Sequence, residues 1–237
     1  MFFPELQYMK NLNLKKKNDL FLFPSLSKSY QRESIFNLNI SEEKLLDGEK
    51  NKHFISENLL ATDHPTVIKN NPSRSVENIP HWIIKWLTKK YSKKLKHSKN
   101  FPKKIFISRE NDSNLNLRRI INSQEVESYL KNNGFTIVSL GENSFEKQIN
   151  YFYNAKIIMG LHGAGFANMI FSKAKTRIIE IRSSKNGKAI MNLAENCGLK
   201  YSNIIETNIN PNLKHQNSHI KVDIRKIRIL FTKLKIN

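Results

Sequence analysis

From Lys104 onward, short runs of β-branched and aromatic residues alternate with amphipathic stretches at a regular interval. Lys104-Ile105-Phe106-Ile107-Ser108 reads as a strand. Asn122 then caps a helix that carries Val126, Tyr129 and Leu130 on one face and ends at Gly134. Phe135 to Val138 is a second strand. Ser144 caps the next helix, with Phe145, Ile149 and Phe152 at helical spacing. Lys156 to Met159 is a third strand, followed by Gly160-Leu161-His162-Gly163-Ala164-Gly165 and a short apolar helix to Phe171. Arg177 to Ile181 and Tyr201 to Ile205 read as further strands around a helix from Gly187 to Asn196. After a polar loop from Asn208 to Ser218, Ile220, Ile224, Ile227, Phe231 and Leu234 mark a basic amphipathic helix over 220–234. Strands separated by helices of this length imply right-handed crossovers and a parallel sheet covered on both faces, a doubly wound Rossmann-like α/β domain.

The first hundred residues are patterned less clearly. Leu20 to Phe23 reads as a strand, Tyr30 to Leu38 as a helix and Phe54 to Ala61 as another strand region, a smaller and incomplete α/β unit. Pro80 opens a helix with Ile83, Leu87, Tyr91 and Leu95 four residues apart. The segment Lys85 to Lys104 holds nine lysines and no acid, which reads as a solvated helix face running into a linker. The sequence thus divides into domains at 1–99 and 100–237.

Composition refines this picture. The 237 residues carry 40 Lys and Arg against 20 Asp and Glu, a formal net charge of +20, which points to an anionic partner. The excess is diffuse, with 18 basic and 10 acidic groups in residues 1–100 and 22 and 10 in residues 101–237. It is also mostly lysine, 31 against 9 Arg, so contact with an anionic membrane surface is a sufficient outlet and no nucleic acid is expected. A single cysteine, Cys197, allows no internal disulfide. The N-terminus lacks the long apolar run of a signal peptide, and the most apolar window, Tyr151 to Phe171, is broken by Asn154, Lys156, His162 and Asn168. A cytoplasmic chain, at most peripheral to the inner face of the membrane, is the expectation.

In open parallel sheets ligands bind outside the carboxyl ends of the strands. Applied here, that rule brings Ser108-Arg109, the loop His162-Gly163-Ala164-Gly165, and Glu180 with Arg182 to one rim. The glycines let the backbone approach a ligand, the following helix N-terminus offers N–H groups to a phosphate, and Arg109 with Arg118 or Arg119 adds guanidinium forks. A carboxylate at Glu180 is placed to accept ribose hydroxyls. Each feature also has a purely structural reading: a packing turn, a hydrogen-bonded histidine, surface arginines. Glu180 resists it most, because a buried carboxylate needs partners. Together they point to a nucleotide-containing ligand. There is no Gly-x-Ser-x-Gly, no P-loop and no Asp-x-Asp, and the histidines show no metal-ligand spacing, so neither a metal nor another cofactor is expected. A nicotinamide-dependent oxidoreductase would place its glycines after the first strand rather than the third, and a basic nucleic-acid-binding protein would show a recognisable module.

The linked run Ile105 to Arg109, Arg118-Arg119-Ile120-Ile121-Asn122, Gly134-Phe135, Gln148, Gly160 to Phe171 and Ile179-Glu180-Ile181 resembles the catalytic domain of glycosyltransferase family 61, over about Lys104 to Arg182. The resemblance implies a GT-B architecture of two Rossmann-like domains. It implies inverting, metal-independent transfer of a sugar from a nucleotide-sugar, UDP-linked, to a hydroxyl of a glycan or lipid-linked glycan in cell-surface or capsular polysaccharide synthesis. It places Arg109, Arg118 or Arg119, His162, Gly163, Ala164, Gly165, Asn168 and Glu180 around the donor nucleotide. It also implies that this chain enters the N-terminal, acceptor-side domain partway, at Pro4 to Tyr8, with Tyr30 to Glu33 and Asp63-His64-Pro65 as later portions. Asp63 or His64 is then the candidate base, with His162 the third candidate catalytic group, donating to the leaving phosphate or the sugar.

Overall fold

A strand forms only where an edge is available to pair with, and in the first half of the chain few edges are. The computed structural model describes residues 20–60, 77–109, 118–209 and 218–236, and the chain divides into two units, Met1–Lys93 and Lys94–Asn237. In the first unit, β1 (Phe21–Phe23) pairs in parallel with β2 (Leu45–Asp47) after the crossover helix α1 (Ser29–Phe36). Phe21 and Phe23 are buried and Leu22 between them points outward, as strand alternation requires. Buried Asp47 accepts the amide of Leu26 at 3.2 Å and that of Glu49 at 3.0 Å, closing the turn after β2. Helix α2 (His81–Tyr91) buries Ile83, Ile84, Leu87 and Tyr91, and the Tyr91 hydroxyl donates to the Ser34 carbonyl at 2.6 Å. The strand expected over Phe54 to Ala61 is not formed. Residues 51–60 are exposed and carry no strand, with Phe54, Ile55, Leu59 and Leu60 all in solvent, while Leu45–Asp47 takes the edge of β1 instead. Apolar, β-branched composition is a preference for a half-buried pleated surface and makes no strand without a partner.

The second unit carries the larger sheet. Its elements are β3 (Lys104–Ser108), α3 (Ser123–Asn132), β4 (Thr136–Ser139), α4 (Phe145–Asn154), β5 (Ile157–Leu161), a 3-10 helix (Ala164–Phe171), β6 (Arg177–Ser183), α5 (Ala189–Asn196), β7 (Lys200–Glu206) and α6 (Ile224–Leu234). All five strands are parallel, in the order β4-β3-β5-β6-β7. The chain therefore starts in the middle, winds outward to β4, returns past β3 and winds the other way. The reversal falls between β3 and β5, and the crevice outside their carboxyl ends is where an open α/β sheet binds ligands.

Both faces of this sheet are covered. Phe106, Met159, Leu161, Ile179, Ile181 and Ile204 meet Val126 and Leu130 of α3 and Ile227 and Phe231 of α6 in one core. The alternate residues of β3, β5 and β6, Ile105, Ile107, Ile158 and Ile178, are as fully buried on the other face. Burying each of these side chains contributes roughly 1.5–3 kcal/mol, which explains the near-continuous apolar runs. The last helix begins later than its periodicity predicts, at Ile224, because Asp223 caps it by accepting the Arg225 amide at 2.9 Å. Ile220 is drawn instead into a parallel bridge with Ile120, its amide bonded to Arg119 and its carbonyl to Ile121. No helix among the described residues is long and apolar enough to cross a membrane.

The lysine-rich stretch is ordered where a free linker would be loose. The Asn150 side chain accepts from the Lys96 amide at 2.6 Å and donates to the Lys94 carbonyl at 2.8 Å. One helical turn on, Asn154 accepts from the Ser98 amide at 3.0 Å and donates to the Lys96 carbonyl at 2.8 Å. Residues 94–98 thus lie along α4 and belong to the second unit. Replacing Asn154 by Ala removes its hydrogen bonds to the half-exposed Ser98 amide and Lys96 carbonyl and should cost roughly 1 kcal/mol in urea unfolding. An unchanged midpoint would show that this segment is not held by α4.

Candidate functional site

The crevice at the switch point is lined first by backbone. Gly160 of β5 sits opposite Ile107 of β3, and a methyl group there would come within 3.1 Å of the Ile107 side chain. A methyl at Gly165 would meet Leu140 at 3.0 Å. These two glycines let β5 and the 3-10 helix close tightly against β3 and the end of β4. Gly163 serves a different purpose. The guanidinium of Arg109, the residue after β3, lies directly on its α-carbon, so that an added Cβ would stand 2.7 Å from the Arg109 Cζ. Only a residue without a side chain lets a guanidinium rest there. The ends of β3 and β5 are in this way joined by a cation laid on a main chain.

Behind them stands a buried carboxylate. Glu180 pairs in register with Gly160, and its side chain is fully excluded from solvent. The cost of burying that charge is offset by two donors: His162 Nδ1–H donates to Oε1 and the Tyr201 hydroxyl of β7 donates to Oε2, both in short contacts. The Tyr201 oxygen in turn takes hydrogen bonds from Asn203, at 3.5 Å, and from Arg182, which leaves its proton directed at Glu180. Burial, then the Glu180 carboxylate, push the Tyr201 phenol up to about 12, so it is a donor throughout the physiological range. With Nδ1 committed to Glu180, His162 keeps Nε2 for another partner, and about a fifth of its side chain is exposed. Glu180 thus holds His162 and Tyr201 together at the back of the crevice.

Arg118 joins this group. It is buried, donates to the Asn186 side-chain oxygen at 3.1 Å, and senses both Arg109 and Glu180. Burial first, then repulsion from Arg109, lower its pKa, and Glu180 opposes them, although a guanidinium remains charged regardless. Asn186 also accepts the Ser183 amide at 2.9 Å and, through its carbonyl, Arg182, so the loop after β6 wraps both arginines. Of the alternatives Arg118 and Arg119, the structure brings Arg118 to the carboxylate. Arg119 is tied elsewhere by its backbone, its amide donating to His219 Nδ1 at 3.1 Å. Asn168 is turned to α4, donating to Gln148 at 3.1 Å, and Gln148 holds the Leu140 and Asn143 carbonyls of the turn after β4. Ala164 and Gly165 open the 3-10 helix rather than an α-helix. Asp63 and His64 lie outside the described residues. Arg182 joins the rim as its strand end predicts, whereas Tyr201 and Asn186 carry no mark in the strand-end pattern. The signal for them was the register of β7 against β6, which the sequence pattern does not specify, and the Asn-Gly turn at 186–187.

Two guanidiniums, an imidazole and the surrounding backbone N–H groups, backed by one carboxylate that is already paired, make an anion-binding constellation with planar forks. Among the described residues no group of three His, Cys, Asp or Glu side chains comes together around a common point.

Because the Tyr201 pKa is raised from its ordinary 10 to about 12 in the folded protein, its contribution to stability is complete below pH 10 and is lost as pH rises toward 12. Urea unfolding between those values should show a fall in stability that Tyr201→Phe diminishes. An identical pH dependence in the variant would contradict the buried Tyr201–Glu180 bond.

A search of curated proteins finds no match for this chain. The model of the family described as Glycosyltransferase 61 matches residues 3–179, which spans the whole of β3 to β5, the glycine loop and most of the first unit. Glu180, Arg182 and Tyr201 fall just beyond it. A donor and an acceptor substrate come with membership of such a transferase family. With the match extending over most of its length, the chain belongs to glycosyltransferase family 61.

Proposed function

We propose that this chain transfers a sugar from a UDP-linked donor to a glycan or lipid-linked glycan hydroxyl, with inversion and without a metal ion. The observation that carries this reading is the Arg109 guanidinium laid on Gly163 beside buried Arg118, at the switch point of a doubly wound sheet. A nucleoside diphosphate brings clustered negative charge to such a place, and two guanidiniums with His162 Nε2–H can hold it. Donor binding is assigned in this reading to the second unit of a GT-B-type enzyme.

In the proposed step a base removes the proton of the acceptor hydroxyl, for which Asp63 or His64 is the candidate. The oxygen forms a bond to the anomeric carbon as the bond to the diphosphate oxygen breaks, and the electron pair leaves with the phosphate. Arg109, Arg118 and His162 stabilise that developing charge, the task a metal performs elsewhere. Ala164 and Gly165 offer backbone N–H groups, and Asn168 shapes the floor through Gln148. A role in cell-surface or capsular polysaccharide synthesis on the cytoplasmic face of a membrane fits the basic surface and the family. A dehydrogenase reading gains nothing here, since the turn after β3 carries Ser108-Arg109 where glycines would be needed.

Calorimetric titration with UDP, NADH and single-stranded DNA at about 50 and 200 mM salt separates the readings. Binding of UDP alone, retained at the higher salt, is the expected result. DNA binding that collapses with salt, in the absence of UDP affinity, would overturn it. Arg109→Ala should weaken UDP roughly 10–100-fold, the worth of a hydrogen bond to a charged group, with unchanged thermal stability. Gly163→Ala should weaken it comparably by lifting the guanidinium off the main chain. Full affinity in both variants would remove Arg109 from the site.

A further inference from the structure

We propose that Tyr201 is a positioning residue of this site, holding Glu180 so that the carboxylate presents His162 Nε2 to the donor diphosphate. The proposal rests on the reading above that His162 touches the donor. It goes beyond that reading by giving a task to a residue on the fifth strand of the sheet, outside the stretch that the family model matches.

The argument starts from a competition. Glu180 is fully buried and has a hydrogen-bonding ring on one side, His162 at the end of β5, and a guanidinium on the other, Arg118 ahead of α3, whose charged form it favours. A buried carboxylate between an imidazole and a guanidinium turns to the guanidinium, which offers a bidentate fork and a permanent charge. It does not do so here. One oxygen is taken by the Tyr201 hydroxyl, whose own oxygen is held by Asn203 and Arg182, so the proton has a single direction to point. The carboxylate is thereby fixed in the orientation that leaves its other oxygen on His162 Nδ1. Arg118 meanwhile is held by Asn186 and stays near Arg109 as part of the anion site. A carboxylate accepting from Nδ1–H fixes the plane and direction of an imidazole, which is how a residue that never meets the ligand sets where Nε2 points. Loss of the Tyr201 hydroxyl therefore frees Glu180 to swing to Arg118. That movement withdraws the brace from His162.

Among the described residues, the charged and titratable groups around His162 are Glu180 and Arg182 from β6, Tyr201 from β7, and Arg109 and Arg118 from the segments flanking the crevice. Of these, Tyr201 can be altered by one atom: Tyr201→Phe keeps the ring and its packing.

Two measurements on the full chain test the proposal. The first is nitrogen-15 NMR of histidine-labelled protein, with the His162 signals identified by their absence in His162→Ala. The wild type should show a protected Nδ1–H proton on His162, and Tyr201→Phe should lose it while retaining the folded spectrum. The second is the affinity for UDP in a double-mutant cycle. Tyr201→Phe and His162→Ala should each weaken UDP about 10-fold, and the double variant should be no weaker than His162→Ala, because one residue acts through the other. Independent losses that multiply to about 100-fold would give Tyr201 a merely structural role and overturn the proposal. A protected Nδ1–H that persists in Tyr201→Phe would overturn it as well. Should the wild type bind no UDP, the functional reading fails by itself, and the NMR signature alone then decides whether Tyr201 positions His162.

Discussion

The candidate site of this protein turns on a guanidinium that fills the space a side chain at Gly163 would take. Arg109 leaves β3 and rests on Gly163 after β5, across the one place where the winding of the sheet reverses. Much else follows from that contact. It requires β3 and β5 to be neighbours although an entire β-strand and two helices separate them in the chain. It requires the tight closure that Gly160 and Gly165 permit against Ile107 and Leu140. It also leaves a cation whose fork is supported from below, at the rim where strand ends and a helix start converge.

Placing positive charge in a partly buried crevice has a cost, and a second arrangement meets it. Arg118 is buried beside Arg109, which no pair of like charges tolerates without compensation. Glu180 supplies it at one remove, its own burial satisfied by His162 and Tyr201. The consequence is a graded set of charges: a carboxylate at the back with no exposure, an imidazole braced by it, and guanidiniums in front. It makes the second unit the donor-binding half of a family 61 glycosyltransferase in the reading proposed here.

How much of this the sequence discloses differs by level. The doubly wound sheet is legible because strands buried on both faces must be apolar throughout, and Lys104–Ser108, Ile157–Leu161 and Arg177–Ile181 could bury in no other way. The rim residues Arg109, His162, Gly163 and Glu180 are legible for the same reason, since in a parallel sheet every strand end falls on one edge. The partners within the rim are not. The two donors that hold the buried Glu180 cannot be read from the sequence, and Tyr201 is invisible because lateral register fixes it. Arg118 and Arg119 are indistinguishable as neighbours, and only the bridge between Ile120 and Ile220 turns one inward. In the first unit, Phe54 to Ala61 has the composition of a strand but no edge to join, whereas Leu45–Asp47 has the edge. The helix expected from Ile220 starts at Ile224 because a cap at Asp223 outweighs apolar periodicity.

The central claim is that the crevice at the β3–β5 reversal is the nucleotide site. Amide chemical-shift mapping of the nitrogen-15-labelled chain during titration with UDP tests it most directly. The account predicts saturable shifts concentrated at Arg109, His162 to Gly165 and Arg118, with those of the lysine-rich α2 unmoved. Shifts that gather on α2 and residues 94–98, leaving the glycine loop unchanged, would contradict it.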